Sequence, residues 1–371
     1  MKVPVLDLHP AYAELRGELD AAYRRVMDSG RYLLGPELEA FEQEYASSVG
    51  CRHTIGVANG LEALQLALSA RGIGPGDEVI VPSNGYIATW LAVSHVGAEA
   101  VPVEPDPATY NLDPARVADA ITRRTKVILP IHLYGQTADM TPLKAIAGEH
   151  GLWVLEDAAQ SHGALCSGVA SGNLGHAAGV SFYPSKNLGA FADAGAVTTS
   201  DDDLAAKLRM LRNYGSAQRY HHEAIGLNSR MDELTAAFLR VRLGHLTEWN
   251  ARRAAQAKGY GARLAGVGDL VMPRVPDWAQ PAWHLFVVRT QRRPGLRAHL
   301  EALGVGTQIH YPIPPHLSGA YAARGGKRGD YPIAEQLADE VLSLPIGPHL
   351  TGEQIDYVCD SIRSFFQGGA R

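Results

Sequence analysis

No run of about 18 apolar residues occurs in this 371-residue chain, so no segment reads as a membrane-spanning helix. Positive charge is not in excess either. Lys and Arg number 34 against 39 Asp and Glu, a formal net charge of −5 that leaves nothing to neutralise a phosphate backbone, so a general nucleic-acid binder is excluded. Cysteine is scarce: Cys51, Cys166 and Cys359 lie far apart and form neither a CxxC pair nor a disulfide framework, which fits a reducing cytoplasm. His221-His222 lacks a third ligand at a suitable spacing, so a metal reading is set aside. The opening residues meet Pro4, Asp7 and Pro10 early and contain no signal-peptide apolar core. There is no internal repeat and no low-complexity linker. What is abundant is apolar side chain: 46% hydrophobic against 20% charged suits one or two globular domains and is too apolar for a disordered chain.

Hydrophobic periodicity organises the rest. Tyr12, Leu15, Leu19, Ala22 and Val26 recur at helical spacing, and Leu38, Phe41 and Tyr45 do so after Gly35-Pro36. Short apolar runs then alternate with helical stretches. Strands are expected over 53–57, 78–81, 100–103, 127–131 and 152–155, with helices over 61–70, 86–95, 114–122 and 142–149. This alternation predicts an α/β fold with a mostly parallel central sheet and helices on both faces. Two further strands, 180–183 and 196–199, precede helices over 204–212 and much of 231–264. Past Gly266 the rhythm changes: a strand over 284–289, a helix over 295–303, a strand over 307–311 and a helix over 354–366. The expected organisation is a large domain over 1–264, opening with two helices, and a smaller C-terminal α+β domain over 265–371.

In open α/β sheets, ligands bind beyond the carboxyl ends of the strands. Asn59-Gly60, the segment Glu156 to Gln160 and the segment Pro184 to Gly189 all fall there. An amine that forms an imine with a carbonyl cofactor and later carries a proton must be neutral near pH 7, which burial favours. Lys186 sits between an apolar strand and Asn187-Leu188-Gly189, a setting that suits this, although a solvated loop lysine fits the position alone. Asp157 ends an apolar strand, where a buried carboxylate needs a cationic partner or else caps a helix. Gly60 and Leu61 open a helix whose first N–H groups suit an anion, though Asn-Gly also marks ordinary turns.

The segments VLEDAAQSHGA, SFYPSKNLGA and GLNSRMDEL resemble the DegT/StrS-type sugar aminotransferases, and the similarity runs from SGRYLLGPELEAFE near the start to LSLPIGPHL near the end. These are pyridoxal 5′-phosphate enzymes of the aspartate-aminotransferase fold. The resemblance implies that Lys186 is the catalytic lysine that takes the cofactor as an imine; lysine there favours transamination, whereas relatives with histidine are dehydratases. It implies Asp157 on the pyridine nitrogen, keeping the ring an electron sink. Gln160, on the first turn of a following helix, would donate to the cofactor's phenolic oxygen. Tyr86, opening a helix, would stack on the ring, where a core aromatic also fits. Gly60, Leu61 and Ser181 would hold the phosphate, and Asn228 would reach it from the neighbouring subunit, implying a homodimer with shared sites. The chain departs from the family at Ala192-Asp193-Ala194-Gly195, where relatives often read Gly-Asp-Gly-Gly; glycine permits positive φ and close approach, so the backbone there is open to question. Leu61 offers no hydroxyl where relatives have Thr or Met, and Gly85 replaces a bulkier residue.

The stretch GVGTQIHYPIPPHLSGAY resembles the versions that aminate the 3-keto group of dTDP-linked deoxysugars, the desosamine and quinovosamine types. It implies sugar contacts from His310 and Tyr311 at the end of a strand and from Tyr183 on the lysine side. Arg219 would pair with the nucleotide diphosphate. A satisfied loop histidine and a surface arginine are the plain alternatives. The expected function is transfer of an amino group from glutamate to the 3-keto carbon of a dTDP-linked deoxyhexose, in antibiotic or surface-glycan sugar biosynthesis. The expected agent is a cytoplasmic homodimer without nucleic-acid or membrane partners. A 4-keto sugar nucleotide or a keto-cyclitol as acceptor, and a non-catalytic regulator on the same fold, are the alternatives.

Overall fold

The computed structural model describes residues 1–368. Helix α1 (His9–Ser29) buries Ala11, Leu15, Leu19, Ala22 and Val26 and stops at Gly30 in the left-handed conformation. Helix α2 (Pro36–Val49) starts on a proline that has no N–H to satisfy. The N–H groups of Gly35, Glu37 and Leu38 donate to the buried Glu233 carboxylate at 2.8, 2.8 and 3.1 Å. A carboxylate complements the positive end of the helix, and each such bond contributes about 1.5–3 kcal/mol. Glu233 thereby docks α2 to the far-off start of a later helix.

Strands and helices then alternate: β1 (His53–Val57), α3 (Gly60–Arg71), β2 (Glu78–Pro82), α4 (Ala88–His95), β3 (Glu99–Val103), α5 (Pro114–Val117), β4 (Thr125–Ile128), α6 (Met140–His150) and β5 (Trp153–Asp157). A short hairpin, β6 (Leu165–Cys166) and β7 (Val169–Ala170), leads to β8 (Ala177–Ser181), β9 (Gly195–Thr199) and α7 (Asp202–Leu211). A second hairpin, β10 (Ser216–Gln218) and β11 (His221–His222), precedes α8 (Glu233–Leu264), a single helix of 32 residues. The rest comprises β12 (Ala279–Gln280), β13 (Phe286–Arg289), α9 (Arg293–Ala302), α10 (Pro332–Glu340), β14 (Val341–Leu344) and α11 (Gly352–Gly368).

One seven-stranded sheet has the order β1-β9-β8-β5-β4-β2-β3. Only β9 runs against the others, pairing antiparallel with β1 and β8. The remaining neighbours are parallel. Strands β2, β5, β8 and β9 are buried along their whole length, as a sheet covered on both faces requires. Leu64, Leu68, Trp90 and Leu208 of α3, α4 and α7 pack into one core; Leu38, Phe41, Tyr45 and Leu239 of α2 and α8 pack into another. The carboxyl ends of β1, β8 and β5 therefore share one edge, where β9 begins. A separate core gathers Val3, Tyr260, Leu264, Phe286, Leu296, Leu342, Ile355 and Ile362, so the chain start and the last turns of α8 pack with the C-terminal part.

Three expectations are corrected. The strand expected over 307–311 is a single bridge, Gln308 to Ser343. In this register Gly306 would face Pro345, which has no N–H, and Gly306 N donates to Val3 O instead; on the other side β14 begins at Val341, and the His310 side chain meets Ser343 Oγ at 2.8 Å. The partner of β13 is β14, which the sequence reading missed. The helix expected over 114–122 shrinks to α5 and a 3-10 turn at Ala118–Ala120, and the strand expected over 180–183 lies earlier, at Ala177–Ser181.

Candidate active site

Where β1 passes into α3, the Asn59 side chain accepts from Glu62 N at 2.9 Å. The first-turn N–H groups of Gly60 and Leu61 precede any intrahelical acceptor, so they face outward. Backbone and side chain crowd together here. A Cβ on Gly60 would lie 2.7 Å from Ser181 Cβ, and one on Gly195 would lie 2.4 Å from the Asn59 carbonyl carbon. Bare glycines thus let the α3 N-terminus, the end of β8 and the start of β9 form one cradle, with Ser181 beside it. Ala192 and Ala194 keep ordinary negative φ, and Ala194 is buried, so the two alanines are accommodated and the close approach falls on Gly195 alone.

Asp157, last residue of β5, lies one strand away. Its Oδ2 accepts from Thr89 Oγ1 at 2.6 Å and its Oδ1 from Ala159 N at 3.2 Å. No helix follows it; residues 158–164 form turns, so Asp157 is not an N-cap and Gln160 is not on a helix. Burial raises the Asp157 pKa, opposed by the Thr89 and Ala159 hydrogen bonds and by the Lys186 and His132 charges. A buried carboxylate without a cation in contact is costly, and a protonated ring nitrogen is the kind of group that would answer it. Lys186 sits in the tight turn after β8, its N–H donating to Tyr183 O at 2.8 Å. Burial lowers its pKa to about 8, opposed by Asp157. Three histidines surround it: burial followed by the Lys186 charge pushes His162 down to about 3 and His310 to about 4, and burial pushes His284 well below its ordinary value. These neutral imidazoles make an enclosure with one reactive amine, one carboxylate and an anion cradle. That set fits a phosphorylated pyridine aldehyde.

Gln160 is more constrained than a lone cofactor donor. Its Oε1 accepts from Tyr134 N at 2.7 Å and its Nε2 donates to Tyr311 Oη at 3.0 Å, leaving one amide hydrogen for any further acceptor. Tyr134, in the left-handed region at φ 61°, also donates its hydroxyl to the His310 carbonyl. Tyr86 lies two residues before α4 and is 55% exposed, its ring 5.1 Å from that of Tyr311. Lys186, Asp157, Gln160, Tyr86, His310 and Tyr311 are thus brought together, with Tyr183, 53% exposed, on the lysine turn. Arg219 and Asn228 are exposed and form no side-chain hydrogen bond to this group, although Ser229, next to Asn228, accepts from Ala58 N at 3.1 Å beside the cradle. Arg219 is exposed at the β10–β11 turn, its guanidinium 4.9 Å from the Tyr220 ring centroid, and Asn228 is exposed on the following segment. Sequence reasoning missed Thr89, Tyr134, His162 and His284. Thr89 stands three residues after Tyr86, but a threonine at that spacing carries no signal that its hydroxyl meets a carboxylate 68 positions on.

The chain is similar to known proteins over nearly its whole length. The sequence pattern of the DegT/DnrJ/EryC1/StrS aminotransferase family matches residues 13–363. The dTDP-3-amino-3,4,6-trideoxy-alpha-D-glucose transaminase of Streptomyces venezuelae is 56% identical over 364 residues, covering 98% of this chain and 96% of its own. The crystal structure of S. venezuelae DesV in complex with a ketimine intermediate superposes with a TM-score of 0.97 at 56% identity, covering 100% of this chain and 99% of that one. NtdA from Bacillus subtilis, solved with bound cofactor PMP, gives a TM-score of 0.92 at 31% identity, covering 99% and 85%.

Proposed function

This chain belongs to the DegT/DnrJ/EryC1/StrS aminotransferase family, and from that premise we propose that it transfers an amino group from glutamate to the 3-keto carbon of a dTDP-linked deoxyhexose. It is a pyridoxal-phosphate aminotransferase of the α/β fold found in its structural neighbours. The observation that carries the residue assignment is the meeting of Lys186, Asp157 and the Gly60–Ser181 cradle at one sheet edge.

When bound, the cofactor supplies a carbonyl that takes up the amine and a ring that accepts electron density from the reacting carbon. Lys186 is the residue assigned to hold it and to move the proton, its amine being largely neutral above pH 8. Asp157 would keep a proton on the ring nitrogen, and Thr89 and Ala159 N–H hold that carboxylate in orientation. Gly60, Leu61 and Ser181 bind the phosphate through backbone N–H groups and a hydroxyl. Tyr86 would pack on the ring, and Gln160, which tethers Tyr311, would offer its remaining amide hydrogen to the cofactor.

The acceptor is read as a 3-keto sugar because the S. venezuelae relative, 56% identical, is named for a 3-amino trideoxyglucose product. His310, Tyr311 and Tyr183 are assigned to the sugar and Arg219 to the diphosphate. A site built to bond particular hydroxyls rejects a pose that leaves its polar groups unpaired, by about 10²-fold or more. The kcat/KM for a dTDP-3-keto-6-deoxyhexose, or its 4-deoxy relative, should exceed that for the 4-keto isomer by that margin. A preference for the 4-keto isomer would overturn the regiochemistry and leave the aminotransferase standing.

The working unit is proposed as a homodimer with shared sites, acting in the cytoplasm. Tyr214, Tyr220 and Ile225 project from the segment around the β10–β11 hairpin at 47%, 78% and 102% exposure, a cluster of large apolar side chains that suits a protein partner. Asn228 on the same stretch is assigned to the partner's cofactor phosphate. Lys186→Ala and Asn228→Ala chains, each nearly inactive alone, should regain about a quarter of wild-type activity on random mixing, because half the dimers are hybrids with one intact site. No recovery in verified hybrids would refute sharing.

A further inference from the structure

The side chain next to Lys186 is buried and fully engaged. Asn187 is 4% exposed. Its Nδ2 donates to Asn250 Oδ1 at 2.8 Å and to the Ala282 carbonyl at 2.7 Å, and its Oδ1 accepts from His284 Nδ1 at 3.2 Å. Asn250, on α8, passes the contact on: its Nδ2 donates to the His162 carbonyl at 2.8 Å. The approach is tight enough to need glycine at 163, where φ is +81° and a Cβ would lie 2.6 Å from Asn250 Nδ2. Two turns earlier on α8, Arg242 donates to the Gly189 carbonyl at the other end of the same turn. Beyond the bridge, Ala282 N donates to Gly135 O at 2.8 Å. The lysine-bearing turn is therefore fastened at Asn187 and Gly189 to α8. At Asn187 it is also fastened to the 282–284 segment that leads into β13.

We infer that Asn187, tied to Asn250 and His284, is a positioning residue that fixes the Lys186 turn against α8 and the entry to the C-terminal part. The inference rests on the reading of Lys186 as the cofactor lysine. Asn187 touches no reacting atom; it acts by denying the turn alternative conformations. An asparagine suits the task because one amide supplies two donors and an acceptor in a rigid plane, and each is used here. Removing Asn250 leaves one Asn187 donor and the His162 carbonyl without partners, so the turn gains freedom at a place where small displacements are expensive for the chemistry.

The test compares wild type with Asn187→Ser, Asn250→Ala and the double variant. The melting temperature of each apoprotein is measured, and a separate folded sample is loaded with pyridoxal 5′-phosphate while the visible band of the bound cofactor is followed. Both single variants should load about 10- to 100-fold more slowly. They should also shift the pH midpoint of that band, which reports the groups around Lys186: Asp157, His162, His284 and His310. The double variant should be no worse than the poorer single, since both cut one chain of bonds. Loading rates and band midpoints equal to wild type in folded variants would overturn the inference, as would apoproteins that melt below the assay temperature while loading normally when cooled. Borohydride trapping and peptide mapping keep the two readings apart. If the label falls on a lysine other than Lys186, the cofactor assignment fails; if it falls on Lys186 with unchanged kinetics, only the positioning role fails.

Discussion

Lys186→Ala should lower kcat by at least about 10³-fold, since it removes both the amine that takes the cofactor and the proton carrier. The apoprotein should melt no lower than wild type at pH 7. The reason is the sign of the lysine's titration. Its folded pKa is about 8, below the ordinary 10.5, because burial outweighs the attraction of Asp157. Between those values the folded chain binds fewer protons at this site than the unfolded chain. The Lys186 contribution to stability therefore rises with pH from about 8 to 10.5, and the cost of enclosing the ammonium is fully present below pH 8. Alanine removes that cost together with its pH dependence, so the wild-type minus variant stability difference should slope over this window and be flat below it. In wild type, cofactor loading should speed up about fivefold from pH 7 to 8, following the neutral amine. Undiminished steady-state turnover in the variant would remove Lys186 from the mechanism.

The sheet was legible because its strands are buried on both faces and read as apolar runs between helical periods, as at His53–Val57 and Trp153–Asp157. Asp157 and Lys186 could be picked out for the same reason: polar residues at the ends of such runs fall at the ligand-binding edge. The network that holds them was not legible. Asn187 meets Asn250 and His284 across 63 and 97 positions, and hydrogen bonds between distant side chains leave no period in the sequence. Residues 307–311 were read as a strand, but the pairing stops after one bridge, because Pro345 offers no N–H on one side and β14 begins at Val341 on the other. Arg219 and Asn228 stand exposed in a single chain, and no pattern within one chain specifies what a second would bring to them.

Asp157→Asn should reduce kcat by about 10²- to 10³-fold, the scale seen when one preorganised electrostatic group is removed from an active site. The same change should leave apoprotein stability unchanged or raised. Burial lifts the Asp157 pKa above its ordinary value, so the folded chain favours the protonated acid, and its stability declines as pH rises through the ordinary value towards the raised one. Once ionised, the carboxylate is a net burden until a cation is in contact with it. Asparagine keeps an acceptor for the Ala159 N–H and a polar partner for the Thr89 hydroxyl while discarding the charge, so the shape of the site survives. Adding pyridoxal 5′-phosphate should therefore raise the melting temperature of wild type more than that of the variant, because only the carboxylate can pair with a protonated ring nitrogen. The combination to measure is kcat, apoprotein melting temperature and the cofactor-induced rise. If the variant's apoprotein melts well below wild type while the refolded enzyme turns over normally, Asp157 is a structural carboxylate and the ring nitrogen has another partner.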